Sequence, residues 1–206
     1  MNKTNKSAFI LKTVELALFT AIVLILQVTG TGIKLPSGTS ISLVLLPIVL
    51  GSMLIGPSAG AFLGLLFGAI VYFAGVFGAD GFTMILFNDH PILTAMVCFG
   101  KGIAAGLVPG LIYKFMRRKS PYLSVFLASA SAPVVNTGLF ILGALTMSDT
   151  LSANFLSEGM TVFYYLVIIC AGINFIFEFL LNLILAPALH RILSIVNKSM
   201  TAERYY

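Results

Sequence analysis

The stretch ISLVLLPIVLGSMLIGPSAGAFLGLLFGAIVYFAGV, residues 41–76, decides the fold. It holds two apolar runs, Ile41 to Ile55 and Ala59 to Val76, parted only by Gly56-Pro57-Ser58. Gly next to Pro is a turn signal, so the two runs read as a tight antiparallel pair of helices. Outward from this hairpin the pattern repeats. Further apolar segments run from Val14 to Gly30, Ile92 to Phe115, Tyr122 to Met147 and Val162 to Leu193. Of the 206 residues, 59% are hydrophobic and only 9% are charged, against roughly 25% charged in a soluble domain. A crossing takes about 20 apolar residues, which leaves room for these segments and short connections. The expected fold is therefore an all-α membrane protein: a compact bundle of six transmembrane helices forming a single integral membrane domain over residues 1–206.

The charges orient the bundle. With the N-terminus inside, Lys3, Lys6, Lys12, Lys114, Arg117, Arg118, Lys119, Arg191, Lys198 and Arg204 all fall inside, ten of the twelve Lys and Arg. Lys34 falls in an outer connection and Lys101 within the fourth segment, while Asp80, Asp89, Asp149 and Glu158 fall outside. Both termini are thus expected in the cytoplasm of a multi-pass plasma membrane protein. Lys3, Lys6 and Lys12 before an apolar run imitate a secretory signal, but the run ends in Thr29-Gly30-Thr31-Gly32 without an A-x-A site, so a retained first helix is expected. The net charge of +5 does not point to nucleic acid, because the cations sit at helix ends and not on a folded aqueous face. Cys98 and Cys170 lie in apolar runs, where a thiol behaves as a small hydrophobe.

The outer connections, Thr31 to Ser40, Phe77 to Pro91 and Ser148 to Thr161, are long, whereas the inner turns are brief. A lid and mere tethers both stand as readings, because loops of that length tend to be functional or disordered. These carry Phe77, Phe82, Phe87, Asn88, His90 and Phe155 among Gly and Pro, and are expected to form a lid.

Lys101, in Phe99-Gly100-Lys101-Gly102, lies about nine residues into the fourth segment, roughly 14 Å along a helix. A charge at that depth demands a polar partner and defaults to a functional hypothesis. Asn174, Glu178 and Asn182 recur every fourth residue and form one polar stripe that cannot face lipid. Asn136, about eleven residues deep, and Asn174, about twelve, are expected near the level of Lys101 and able to converge on one ligand. Two readings stay open: these groups bind a solute, or they hold helices together through an ion pair between Lys101 and Glu178 and through hydrogen bonds. Gly60, Gly64 and Gly68, and likewise Gly102, Gly106 and Gly110, show the small-residue spacing of packed membrane helices. No phosphate-binding loop is present, since Gly100-Lys101-Gly102 lacks the spacing and the following hydroxyl, so the chain does not energise itself with ATP. No H-E-x-x-H or paired-His set appears, and His90 and His190 fall on opposite sides of the membrane, so neither metal nor cofactor is expected.

With these residues in hand, the sequence resembles the substrate-binding S component of energy-coupling factor (ECF) vitamin transporters over essentially its whole length. The resemblance is carried by the six segments, by Ala17-Leu18-Phe19-Thr20-Ala21 on the first, by Ile55-Gly56-Pro57-Ser58-Ala59-Gly60 leading into Gly64 and Gly68, and by the lidded outer half. It implies a transporter subunit and not an enzyme. Ala17 and Ala21 would dock on a transmembrane coupling subunit, and two cytoplasmic ATPases would drive transport. It also implies a vitamin-sized solute held in the outer half between the fourth to sixth helices, with Lys101, Asn136, Asn174, Glu178 and Asn88 as candidate substrate-binding residues. Leu43 to Gly51, with Gly100-Lys101-Gly102, looks most like the pantothenate subgroup, whose carboxylate would suit Lys101. Riboflavin, folate, cobalamin or another micronutrient stands as an alternative solute. An autonomous secondary transporter, with Glu178 relaying a proton, and an intramembrane enzyme using Lys101 and Glu178 are the rival classes; the first lacks duplicated halves and the second lacks a recognisable nucleophile.

Overall fold

The computed structural model describes residues 3–30, 43–157 and 159–202. The connection from Thr31 to Ser40 with Lys34, and likewise Glu158 and Arg204, lie outside the described residues. In chain order the helices are α1 (Lys3–Gly30), α2 (Leu45–Leu54), α3 (Pro57–Val76), α4 (Gly81–Asp89), α5 (Pro91–Met116), α6 (Pro121–Leu145), α7 (Ser148–Phe155), α8 (Val162–Tyr164) and α9 (Gly172–Ala202). Proline opens α3, α5 and α6, where the missing N–H has no intrahelical partner in any case and the fixed φ suits the first turn. Gly56 joins α2 to α3 at φ 139°, a conformation open to glycine and strained for other residues. The hairpin expected from Gly56-Pro57-Ser58 is thus formed.

Five helices are long and apolar enough to cross a membrane: Phe9–Thr29 within α1, then α3, α5, α6 and Gly172–Val196 within α9. The second expected crossing, Ile41 to Ile55, holds a helix of only 10 residues, about 15 Å or half the hydrocarbon thickness. Two of the outer connections are not irregular loops. Phe77 to Pro91 folds into α4, capped by Asp80 Oδ1 accepting from Thr83 N at 2.7 Å, and Ser148 to Thr161 folds into α7. Nor is the last segment one helix from Val162 to Leu193: a π-helical turn at Tyr165–Cys170 separates α8 from α9. Its i→i+5 geometry brings Tyr165 and Cys170, five residues apart, to one face together with Leu166, and all three join the same apolar cluster.

The tightest packing is between α3 and α5. A Cβ on Gly64 would collide with the Gly102 carbonyl oxygen, one on Gly60 with that of Gly106, and one on Gly68 with that of Cys98. The two glycine series therefore face each other in antiparallel register, and nothing larger fits. Ser52 Oγ from α2 donates to Gly106 O at 2.6 Å and ties the short helix to this pair. Three apolar clusters stack along the bundle. One joins Tyr113, Val125, Ala128, Leu189 and Leu193 at the end holding the α5–α6 turn. The second joins Phe19 and Val23 of α1 to Ile48, Leu63 and Phe67. The third, at the opposite or lid end, joins Phe82, Leu86, Ala144, Met147, Leu151, Tyr165 and Leu166. Large apolar side chains such as Phe9, Leu18, Ile25, Ile92, Leu142 and Ile184 point outward, as they do when the surrounding solvent is lipid.

Candidate functional site

Gly100 and Gly102 set the direction of Lys101. Gly102 is pressed against the Gly64 backbone, whereas a Cβ on Gly100 would meet open space. Lys101 stands between these two faces and reaches the space between α3 and α6. Its Nζ lies 5.7 Å from the Phe67 ring centroid and 5.2 Å from that of Phe140. Such contacts are worth about 0.5–2 kcal/mol each and offset only part of the cost of holding an ammonium inside the bundle. No ion pair of Lys101 is found among the described residues.

The ammonium borders a cavity of about 20 Å³ under the lid end. Cys98, Thr94 and Val97 of α5 line it, with Val71 of α3, Phe140 and Ala144 of α6, Met147, and Phe82, Thr83 and Leu86 of α4. Thr94 Oγ1 donates to His90 O at 2.8 Å and also lies 3.8 Å from Met147 Sδ. A space of this size holds about one water, whereas small-molecule sites run to about 300 Å³ or more, so in this conformation it has no room for a vitamin-sized solute. The closure is aromatic. Phe82 packs on Phe140 at 5.8 Å and on Phe155 at 5.1 Å, and Phe155 stacks on Tyr165 at 5.7 Å. This chain of rings links α4, α6, α7 and the π-helical turn across the mouth. The lid helix α4 rests on Gly75, where a Cβ would come within 2.6 Å of Thr83 Cγ2.

The other sequence-predicted residues are placed as follows. Asn136 is buried on α6, and its Oδ1 finds no hydrogen-bond partner among the described residues. It lies four residues before Phe140, about 6 Å further from the lid, and is not in the cavity wall. Asn174 Nδ2 donates to Glu178 Oε1 at 3.3 Å, and Asn182 Nδ2 donates to Glu178 O at 2.8 Å, so the expected stripe is internally hydrogen-bonded. Asn174 and Glu178 are also absent from the wall, and Asn88 is exposed near the end of α4. Ala17 and Ala21 are exposed on α1, on the side away from the buried Phe19 and Val23. The cavity therefore lies between α3, α4, α5 and α6, and α9 contributes no wall. Sequence reasoning missed Thr83 and Thr94. Thr94, Cys98 and Lys101 follow i, i+4, i+7 spacing on one helical face, a signal that was available. Among the described residues no group of three or more His, Cys, Asp and Glu could hold a metal ion.

These features define a polytopic α-helical membrane protein with a lidded internal cavity. The sequence profile of the ECF transporter, substrate-specific component, matches residues 11–190, from α1 to near the end of α9, and the chain belongs to that family. No individually curated protein matches it. Membership makes this a multi-pass plasma membrane protein with a role in micronutrient uptake, associated with an ECF module and a small-molecule substrate. The family is one of transporters and not a class of enzymes.

Proposed function

We propose that this chain captures an anionic micronutrient, pantothenate first among the candidates, and delivers it to a transmembrane coupling subunit driven by two cytoplasmic ATPases. The observation that carries the reading is the Lys101 ammonium beside a lidded cavity, with no ion pair of its own among the described residues. A monocarboxylate would neutralise it in a dry site, where a charge-assisted hydrogen bond is strongest. The remaining wall is mainly apolar, which suits a branched aliphatic body. Asn136 and Asn174 lie outside the present wall, and their side-chain oxygens, without a partner among the described residues, are the acceptors this reading assigns to hydroxyl and amide groups of the solute. Glu178 orients Asn174, and Asn88 stands at the rim. In this reading α2 completes a six-segment bundle as one domain, both termini are cytoplasmic, and Ala17 and Ala21 form the coupling face.

Phe82 and Phe140 in the wall favour one second reading, a ring-bearing solute such as riboflavin or folate. Equilibrium binding of labelled pantothenate to the purified chain, with these compounds as competitors, tests both. Lys101→Ala should weaken binding of the anion by about 1.5–3 kcal/mol, ten- to a hundredfold. Unchanged affinity removes Lys101 from the site. Wild-type protein that ignores pantothenate but retains riboflavin or folate selects the second reading.

A further inference from the structure

The end of the bundle away from the lid carries a concentration of positive charge that solute binding does not use. Lys114, Arg117, Arg118 and Lys119 surround the α5–α6 turn and are all exposed. The Arg117 guanidinium lies over the Tyr113 ring at 5.8 Å, which fixes its direction. The Tyr122 and His190 rings meet edge to face at 5.4 Å, so the turn of α9 that carries the exposed Arg191 packs against the start of α6. The described carboxylates lie elsewhere: Asp80, Asp89 and Asp149 in the segments at the lid end, Glu178 inside the bundle and Glu15 on α1. Among the described residues none of these cations forms an ion pair.

Exposed apolar side chains adjoin the cations: Phe115 at 74%, Tyr122 at 55%, Leu123 at 45% and Ile192 at 41% exposure. A soluble anion would use the charges and leave these side chains idle. A lipid uses both, with its phosphate on the guanidinium groups and its acyl chains along the apolar surface. We infer that this face holds the phosphate headgroup of an anionic phospholipid, between the α5–α6 turn and α9, with Arg117, Arg118 and Arg191 as its main contacts. The site is independent of the solute cavity and stands whatever the solute proves to be.

The test uses the full chain, purified and delipidated in detergent, and phosphatidylglycerol and phosphatidylcholine with the same acyl chains. Retained lipid is counted by native mass spectrometry, and the thermal unfolding midpoint is recorded with each. Phosphatidylglycerol should be retained and should raise the midpoint above that in phosphatidylcholine. Arg117→Gln/Arg118→Gln and, separately, Arg191→Gln should lose affinity for it by about fivefold per arginine. Their midpoints in phosphatidylcholine should match that of the unaltered protein, as befits exposed positions. Equal retention of the two lipids, or full retention of phosphatidylglycerol by both variants, overturns the inference. So does displacement by glycerol phosphate at the concentration of the lipid, which would assign the face to a free phosphate.

Discussion

Lys101 sits between two glycines that do opposite things. Gly102 lies against the Gly64 carbonyl, so Gly102→Ala must part α3 from α5 or shift the turn that aims Lys101. It should cost about 1–3 kcal/mol, seen as a lower unfolding midpoint, and should weaken solute binding as well. Gly100→Ala adds a methyl in open space and should leave both readouts unchanged. Equal effects of the two would mean that the seam does not aim the ammonium. At this scale the sequence was most legible where a single residue type had one physical use. Gly56 before Pro57 had to be a turn, whereas the polar partner expected for Lys101 is not found among the described residues, where two phenyl rings flank the ammonium. Asn136 and Asn174 were harder. Their depth depends on exact helix ends, which an apolar run does not mark, and burial alone does not say which neighbouring helix a side chain faces.

Among the elements, α4 walls the cavity and α7 packs beside it, so on the proposed function these are the parts that would move to admit a solute. Phe82 and Phe155 are the rings that join them, 5.1 Å apart. A cleavable bifunctional thiol reagent joining Phe82→Cys to Phe155→Cys should stop solute exchange when it spans the two and restore it when it is cleaved. Equal exchange rates in the two states would show that entry runs by another path. Gly78, at φ 73°, lies in the link between α3 and α4, where the left-handed backbone favours glycine. Neither short helix was legible in the sequence. Each spans two turns or so, too few for a period to emerge from segments mixing Phe, Gly and polar residues. The π-helical turn was equally silent, since Tyr165 to Cys170 is apolar throughout and the extra residue is selected by packing against the lid cluster.

For the whole molecule, the glycine-lined pair of α3 and α5 forms the fixed frame, and α1 is held to it by Phe19 and Val23. The opposite side of α1 presents Ala17 and Ala21 outward. Ala17→Leu/Ala21→Leu should abolish uptake in cells while leaving solute affinity of the purified chain within about twofold, since the altered positions face away from the core. Loss of both would mean that these alanines support the fold and not the coupling. The bundle architecture was readable from composition and apolar spacing, whereas the order of walls around the cavity came only from how the helices pack. One packing detail bears on signalling. The Phe67 ring lies 5.7 Å from the Lys101 ammonium and also belongs to the cluster that contains Phe19 and Val23. The charge proposed to meet cargo and the helix proposed to couple it thus border one apolar cluster, so a displaced phenyl group at the ammonium would disturb packing that α1 shares.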